Sequence, residues 1–483
     1  MKKFYVTTPI YYVNDKPHIG HAYTTIAADV IARYYKIKLD EKRVFFLTGT
    51  DEHGAKIAEA AGMNNKSPEK FCDELIPKFK LAWNNLNIDY DYFIRTTNKK
   101  HIKFVKNILR KIYENGDIYK DTYSGYYCVG CEKYLIKADL VNGRCKLHPN
   151  KKPIKQKEEN YFFKLSKYQT KLLKALDKGE YQILPKSRHN EVYNKIKKGL
   201  DDVSLSRQEV TWGIPVPWDK KQTIYVWFDA LLNYYSGPQI YSKTPPKDTQ
   251  WFPADVHLMA KDILWFHGVI WPAMLLSAGL PLPKTIFAHG YFTINGQKMS
   301  KSLGNVIDPN KLVEKYGADA VRHYLLSAFP FGVDGNVSIK DLEEKYNNEL
   351  ANGLGNLVSR VSHLCEKYDI QVQEKQEVLE KCLQIKPGVI WKEIENYKFD
   401  RAIKNIFQIV NSANSYVEKT KPWEIAKTDP KKLEIILKDL VVCIRQIAFF
   451  LKPIMPKTAD IIDKEFSKTK LRKVRPLFIK IKD

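Results

Sequence analysis

Four consecutive apolar residues, Val44-Phe45-Phe46-Leu47, constrain this chain more than any other short stretch. A strand that is apolar on both faces has to be covered on both faces, as an interior strand of a parallel sheet is. The residues before it support that placement. Phe4-Tyr5-Val6-Thr7 is short and β-prone, and Pro9 to Pro17 is a loop with Asn14-Asp15 turn chemistry. Tyr23, Ile26, Ala27, Val30, Ile31 and Tyr34 then recur at the spacing of one helical face. Strand, helix, strand in that order predicts a doubly wound α/β domain.

One such domain does not use up 483 residues, so two to four are expected. The periodicity changes twice. From about 115 to 205 it is irregular, with clustered cysteines and lysine-rich loops. Strand signals return at Ile224 to Phe228, His257 to Met259 and Ile286 to Ala288. Beyond about 336 the apolar residues Ile339, Leu342, Tyr346, Leu350, Leu354, Leu357, Val361 and Leu364 step by three or four, as in a helical bundle. The expected organisation is an α/β domain in two halves, 1–115 and 205–335, a connective insertion at 116–204, and an all-α domain at 336–483. That last part ends in a basic stretch from Lys468 to Lys482, read either as a solvated tail or as a phosphate contact.

Lys+Arg 79 against Asp+Glu 55 leaves a net charge of +24, which suits a polyanion, nucleic acid ahead of an anionic membrane. Charge alone does not separate that from a lysine-rich background. With 44% hydrophobic and 12% aromatic residues, the chain is not predominantly disordered. The apolar stretch from Ile263 to Leu282 is broken by His267 and Pro272 and reads as a buried helix, not a membrane span. No signal segment is recognised at the N-terminus, and a cytosolic protein is expected.

Of the seven cysteines, four are scattered at 72, 365, 382 and 443. The others form Cys128-x2-Cys131-x13-Cys145-x2-His148, two close pairs of soft ligands that can close one tetrahedral zinc site. Four protein ligands leave no open position, so the zinc would be structural. Gly130 and Gly143 give its turns room. His148 is the weakest member of the set and His189 a remote alternative.

Two further motifs point to nucleotide chemistry. His18-Ile19-Gly20-His21 opens the first helix, where free N–H groups and two imidazoles suit a phosphate. Lys298-Met299-Ser300-Lys301-Ser302 supplies two lysines three apart, an anion clamp able to follow charge developing on phosphate. Neither a Gly-x-Gly-x-x-Gly nor a Walker lysine motif is present.

Together these motifs resemble the HIGH and KMSKS signatures of class I aminoacyl-tRNA synthetases, whose catalytic domain is Rossmann-like. The resemblance sharpens to the methionyl-tRNA synthetase family at Thr8-Pro9-Ile10-Tyr11-Tyr12, Thr50-Asp51-Glu52-His53-Gly54, Tyr225-Val226-Trp227-Phe228-Asp229-Ala230, and Lys261-Asp262-Ile263 through His267 to Trp271. It implies activation of L-methionine with ATP and Mg²⁺ to methionyl-adenylate, then transfer to tRNA(Met), initiator and elongator. By resemblance His18, His21, Lys298 and Lys301 are catalytic, and with Gly20 and Asp262 they bind ATP. Asp51 and the backbone near Ile10 hold the ammonium, while Tyr12, Trp227, Ala230, Tyr234, Ile263 and His267 wall the side-chain pocket. Tyr12 and His267 are expected to touch sulfur, and Arg207 matches a position near the reacting groups.

In the helical region Asn352, Asn356 and Arg360 share one stripe, and Asn356, Arg360 and Trp423 match positions that read a CAU anticodon. The insertion is too short for a hydrolytic editing domain. No appended tRNA-binding domain follows, so a monomer is expected. The alternatives are another class I synthetase, such as a cysteine enzyme with zinc ligands at its amino-acid pocket, or a catalytically silent tRNA-binding relative.

Overall fold

The computed structural model describes residues 2–128, 133–135, 140–146, 150, 152–242, 251–299, 305–372 and 387–481. The chain forms two compact units, Met1–Pro17 with Lys42–Leu81 and Tyr90–Ala288, and His18–Glu41 with Ala82–Asp89 and His289–Asp483.

The first unit is built on a six-stranded sheet. Its strands are β1 (Phe4–Tyr12), β2 (Val44–Asp51), β3 (Tyr92–Arg95), Gln182–Leu184, Val256–Ala260 and Thr285–His289. Across the sheet the order is β3, β2, β1, Val256–Ala260, Thr285–His289, Gln182–Leu184, and β1 runs parallel to both neighbours. All of β2 is buried, as its apolar run requires. The order reverses beside β1, and open α/β sheets bind ligands at the carboxyl ends of the strands at such a switch point. A register shift between Thr7 and Ile10 precedes that end, where Ile10 lies opposite Gly49 and Tyr12 opposite Asp51.

Within 116–204 the strands Ile118–Cys128 and Ile154–Phe163 form a long antiparallel ribbon, flanked by Lys133–Leu135 and Val203–Ser204. This segment is not wholly an appendage. Its Gln182–Leu184 strand joins the edge of the main sheet, with Ile183 buried in the core.

In the second unit, helix α1 (Ile19–Leu39) carries Asp29, which is fully buried against Arg322 of helix Ala318–Ser327. The guanidinium donates to Asp29 Oδ2 at 2.6 Å and to the carbonyls of Pro453, Ile454 and Leu86 at 2.8, 2.8 and 3.2 Å. Asp29 also accepts from Arg33 Nε and from the Asp89 N–H, both at 2.8 Å. A buried ion pair is tolerated because nearly every remaining polar position is filled.

The C-terminal region is helical as expected, but its first helix is not α throughout. After Ile339–Lys345 the chain winds as a π-helix over Tyr346–Gly355 before resuming as α over Asn356–Lys367. Two long helices, Phe399–Thr420 and Pro430–Leu451, pack their apolar faces together, with Ile406, Val410, Ala413 and Val417 along one stripe. The basic C-terminal stretch is anchored through its apolar residues, while its described lysines and arginines stay exposed. Leu471 and Val474 are buried, the Val474 N–H donates to Ser362 Oγ, and Lys470 and Arg472 pair with Asp369 and Glu366. Among the described residues no helix is long and apolar enough to cross a membrane. The apolar stretch after Ile263 folds as a π-helix, Phe266–Ile270, and an α-helix, Trp271–Ala278, inside the first unit.

Candidate active site

In the first unit, β1 and β2 end in the residues assigned to an amino-acid pocket. Ile10, Tyr12, Trp227 and Ile263 are half-buried and pack against the same apolar cluster that holds Tyr234. Ala230 and His267 are buried. Trp227 stacks on Phe266, with ring centroids 3.9 Å apart and planes at 7°, and meets His267 edge-on at 6.1 Å. Asp51 is buried at the end of β2, and its charge adds to burial in driving the Tyr234 hydroxyl far above its ordinary pKa. The pocket is thus an aromatic box with one carboxylate, suited to an ammonium at one end and a polarizable chain at the other.

His267 is hydrogen-bonded within the first unit through both ring nitrogens. Nδ1 donates to the Ile263 carbonyl at 3.0 Å, which leaves Nε2 as the acceptor for the Tyr234 hydroxyl at 2.8 Å. Burial lowers His267 to a pKa of about 4, so the ring is neutral. Both nitrogens are engaged, and Tyr234 is the group His267 orients. His257 forms the layer behind. It accepts from Trp271 Nε1, bonds Thr7 Oγ1 at 2.7 Å, and packs its ring 4.2 Å from that of Tyr234. Trp271 is therefore a core residue. Asp262 is exposed just beyond the Val256–Ala260 strand, in a single 3₁₀ turn. Arg207 is buried beneath the Tyr225 ring at 4.2 Å and donates to Ser204 Oγ and the Ser206 carbonyl.

In the second unit His18 is the N-cap of α1 and His21 its N3 residue. His18 Nδ1 accepts from the Gly20 N–H at 3.1 Å, and His21 Nδ1 accepts from the His18 N–H at 3.2 Å. This reciprocal pattern is a capping box made by two imidazoles, whose rings stack at 3.8 Å. It closes the helix N-terminus to an anion. The Ile19, Gly20 and His21 N–H groups are all bonded within the protein, to Ile307 O, His18 Nδ1 and His18 O. They are not open to phosphate. Because each Nδ1 accepts, each ring carries its proton on Nε2, and a neutral histidine still offers an N–H. Burial, helped by the nearby His18, holds His21 well below its ordinary value. Gly20 is required because a Cβ there would lie 2.9 Å from the His18 ring, and Met299 is its next neighbour at 3.4 Å. The Lys298 backbone pairs with Thr293 across an Asn295-Gly296 turn. Lys301 lies outside the described residues.

Cys128 and Cys145 are both buried and form one small cluster with Leu135. Cys145 sits on a hairpin whose two-residue turn, Asn142-Gly143, has positive φ at both positions. Two soft donors of the expected four are thereby brought together. Cys131 and His148 lie outside the described residues, and among the described residues no group of three metal-ligating side chains occurs.

Asn352 is exposed on the π-helical segment, while Asn356 and Arg360 lie half-buried on the α-helix that follows. The Arg360 guanidinium lies 5.7 Å from the Trp423 ring and pairs with Glu418 at 2.6 Å. Arg360 and Trp423 are thus neighbours although 63 residues apart in the chain.

These residues belong to a chain of recognisable kind. Residues 4–147 and 135–362 match the family model of class I tRNA synthetases (M), and residues 369–476 match that of the anticodon-binding domain of methionyl tRNA ligase. Curated methionine–tRNA ligases of Caldanaerobacter subterraneus and Thermotoga maritima are 45% and 44% identical, over 95% of this chain and 73% and 74% of theirs. The Mycobacterium tuberculosis methionyl-tRNA synthetase in complex with methionyl-adenylate superimposes with a TM-score of 0.91 at 35% identity, over 99% of this chain and 100% of that one. The chain belongs to the methionine–tRNA ligase family.

Proposed function

We propose that this chain charges tRNA(Met), initiator and elongator, with L-methionine at the expense of ATP. The observation that carries the reading is the aromatic box around the Tyr234–His267 pair, with Asp51 beside it at the switch point of the sheet. In the first step the methionine carboxylate attacks the α-phosphate in line, the bond to the β-phosphate breaks, and pyrophosphate leaves. In the second, a hydroxyl of the terminal ribose of tRNA attacks the activated carbonyl and AMP leaves. No covalent enzyme intermediate is involved, so catalysis is positioning and charge stabilisation.

Asp51 and the backbone at Ile10 hold the ammonium, and Tyr12, Trp227, Ala230, Tyr234, Ile263 and His267 enclose the thioether. His18 and His21 offer Nε2–H to phosphate oxygens, and Gly20 keeps the His18 ring in place. Asp262 takes the ribose hydroxyls, while Lys298 and Lys301 neutralise charge on the departing pyrophosphate. Mg²⁺ bound with ATP spreads the charge of the phosphates. Cys128, Cys131, Cys145 and His148 would hold a structural zinc; the buried Cys128–Cys145 cluster fits soft-donor ligation. Asn356, Arg360 and Trp423 read the anticodon. The enzyme is a cytosolic monomer.

The test is amino-acid-dependent exchange of pyrophosphate into ATP, with all twenty amino acids and no tRNA. Exchange with methionine alone is expected. Exchange with another amino acid overturns the pocket assignment, and none at all overturns the adenylation step.

A further inference from the structure

A buried chain of hydrogen-bonded side chains, His53, Asp229, His101 and Ser236, lies among the segments that carry the pocket residues. His53 Nδ1 lies 2.6 Å from Asp229 Oδ2, and His101 Nε2 lies 2.8 Å from Asp229 Oδ1. His101 continues through Nδ1 to Ser236 Oγ at 2.7 Å. All four side chains are buried, with His101 and Ser236 at 0% exposure. Burial alone would raise the Asp229 carboxyl, but the two imidazoles outweigh it and hold it below its ordinary value. The carboxylate is therefore the acceptor on both sides, and His53 and His101 carry protons on Nδ1 and Nε2 respectively.

The chain's members are distributed in a telling way. His53 is two residues beyond Asp51. Asp229 lies between Trp227 and Ala230. Ser236 is two residues beyond Tyr234. His101 alone comes from an element with no pocket residue, helix Lys99–Glu114. A buried charge is a poor source of net stability against a well-packed apolar core, and its best-attested use is to specify one arrangement over others.

We infer that His101 is a positioning residue for methionine: through Asp229 and Ser236 it fixes the segments carrying Asp51, Trp227 with Ala230, and Tyr234 in one arrangement. This rests on the methionine reading above.

The test uses side chains that mimic one ring nitrogen at a time. In His101→Gln the amide nitrogen takes the place of Nε2 and keeps the bond to Asp229. In His101→Asn it takes the place of Nδ1 and loses that bond. Pyrophosphate exchange with the full chain should show the methionine KM raised about tenfold in His101→Asn, the size of one lost charge-assisted hydrogen bond. The KM for ATP and kcat should stay within about threefold, and His101→Gln should recover most of the methionine KM. Equal behaviour of the two variants, or a parallel rise in the KM for ATP, would mean His101 is only filling space. Should either variant fail to fold, Ser236→Ala removes a single hydroxyl and should raise the methionine KM by roughly threefold; an unchanged value overturns the inference. Wild-type protein separates the two levels. Without methionine-dependent exchange there, the functional reading falls; with exchange there and indifferent variants, only the role of His101 falls.

Discussion

The buried Arg322 gives the most demanding test of how the second unit is held together. In Arg322→Met the unbranched apolar stem is largely kept and all the donors are lost. Asp29 would still be paired, because Arg33 Nε and the Asp89 N–H both reach it. Arg322→Met therefore loses one charge-assisted bond, about 2 kcal/mol, and leaves the carbonyls of Leu86, Pro453 and Ile454 without this donor, about 1 kcal/mol each. The expected cost is roughly 5 kcal/mol, comparable with the net stability of a typical domain.

The decisive comparison is made in a background where the ion pair has already been weakened. A buried pair can often be replaced by apolar residues at little cost. Here the guanidinium serves three backbone carbonyls besides the carboxylate, so Arg322→Met in an Asp29→Asn background should still cost about 3 kcal/mol. Urea denaturation of wild type, both single variants and the double variant reads this directly, provided the m-values agree. If Arg322→Met costs less than about 1 kcal/mol in the Asp29→Asn background, the carbonyls are not what the arginine holds. Because α1 also carries His21 and is capped by His18, the same variants should show slower methionine-dependent exchange well below their denaturation midpoints.

Two other outcomes follow from the structure. His289 is buried with a pKa of about 4, since burial outweighs its bond to the Gly290 carbonyl. The unfolded chain takes up a proton near pH 6.5 while the folded one does not, so stability present above that pH is lost as it falls toward 4. The loss from pH 7 to 5 is about 2 kcal/mol for this one residue. His289→Asn, which keeps a donor for Gly290, should flatten the pH dependence of the urea midpoint by that amount, and an unchanged slope would refute the neutral assignment. Purified protein should carry one zinc per chain; removing it with a chelator should speed amide exchange at Leu140–Cys145 while leaving β1 and β2 protected. Equal exchange with and without metal would remove the zinc from its structural role.

Much of the N-terminal region was legible because its constraints are local. Val44 to Leu47 has the continuous apolar run of an interior strand, and the stripe from Tyr23 to Tyr34 has the spacing of a helical face. The π-helix at Tyr346–Gly355 left a trace that was easily passed over. From Leu342 the apolar residues step by four to Tyr346, Leu350 and Leu354, slower than the mean of 3.6 that an α-helix gives, before returning to mixed steps. The network around Asp229 left none. His53 and His101 stand 176 and 128 residues from it, and no periodicity or motif spacing spans such separations. His101 in particular occurs in a helix with an ordinary amphipathic pattern, where an inward-facing histidine is indistinguishable from a core residue.

His18 and His21 fall between these cases, because their spacing encodes a helix cap as well as a phosphate site. An N-cap and an N3 residue are three apart, the separation at which side-chain acceptors satisfy two backbone donors reciprocally. Read as phosphate ligands alone, two histidines around a glycine have no reason for that separation. Read as caps, they do: each imidazole must accept through Nδ1, so each must carry its proton on Nε2. The backbone that looked available to an anion is consumed by the cap, and in exchange two neutral N–H donors are fixed in rotamer and tautomer without any need for protonation. A phosphate bound there would be held by hydrogen bonds from rings already oriented by the helix, which is the preorganisation that charge developing on the α-phosphate requires.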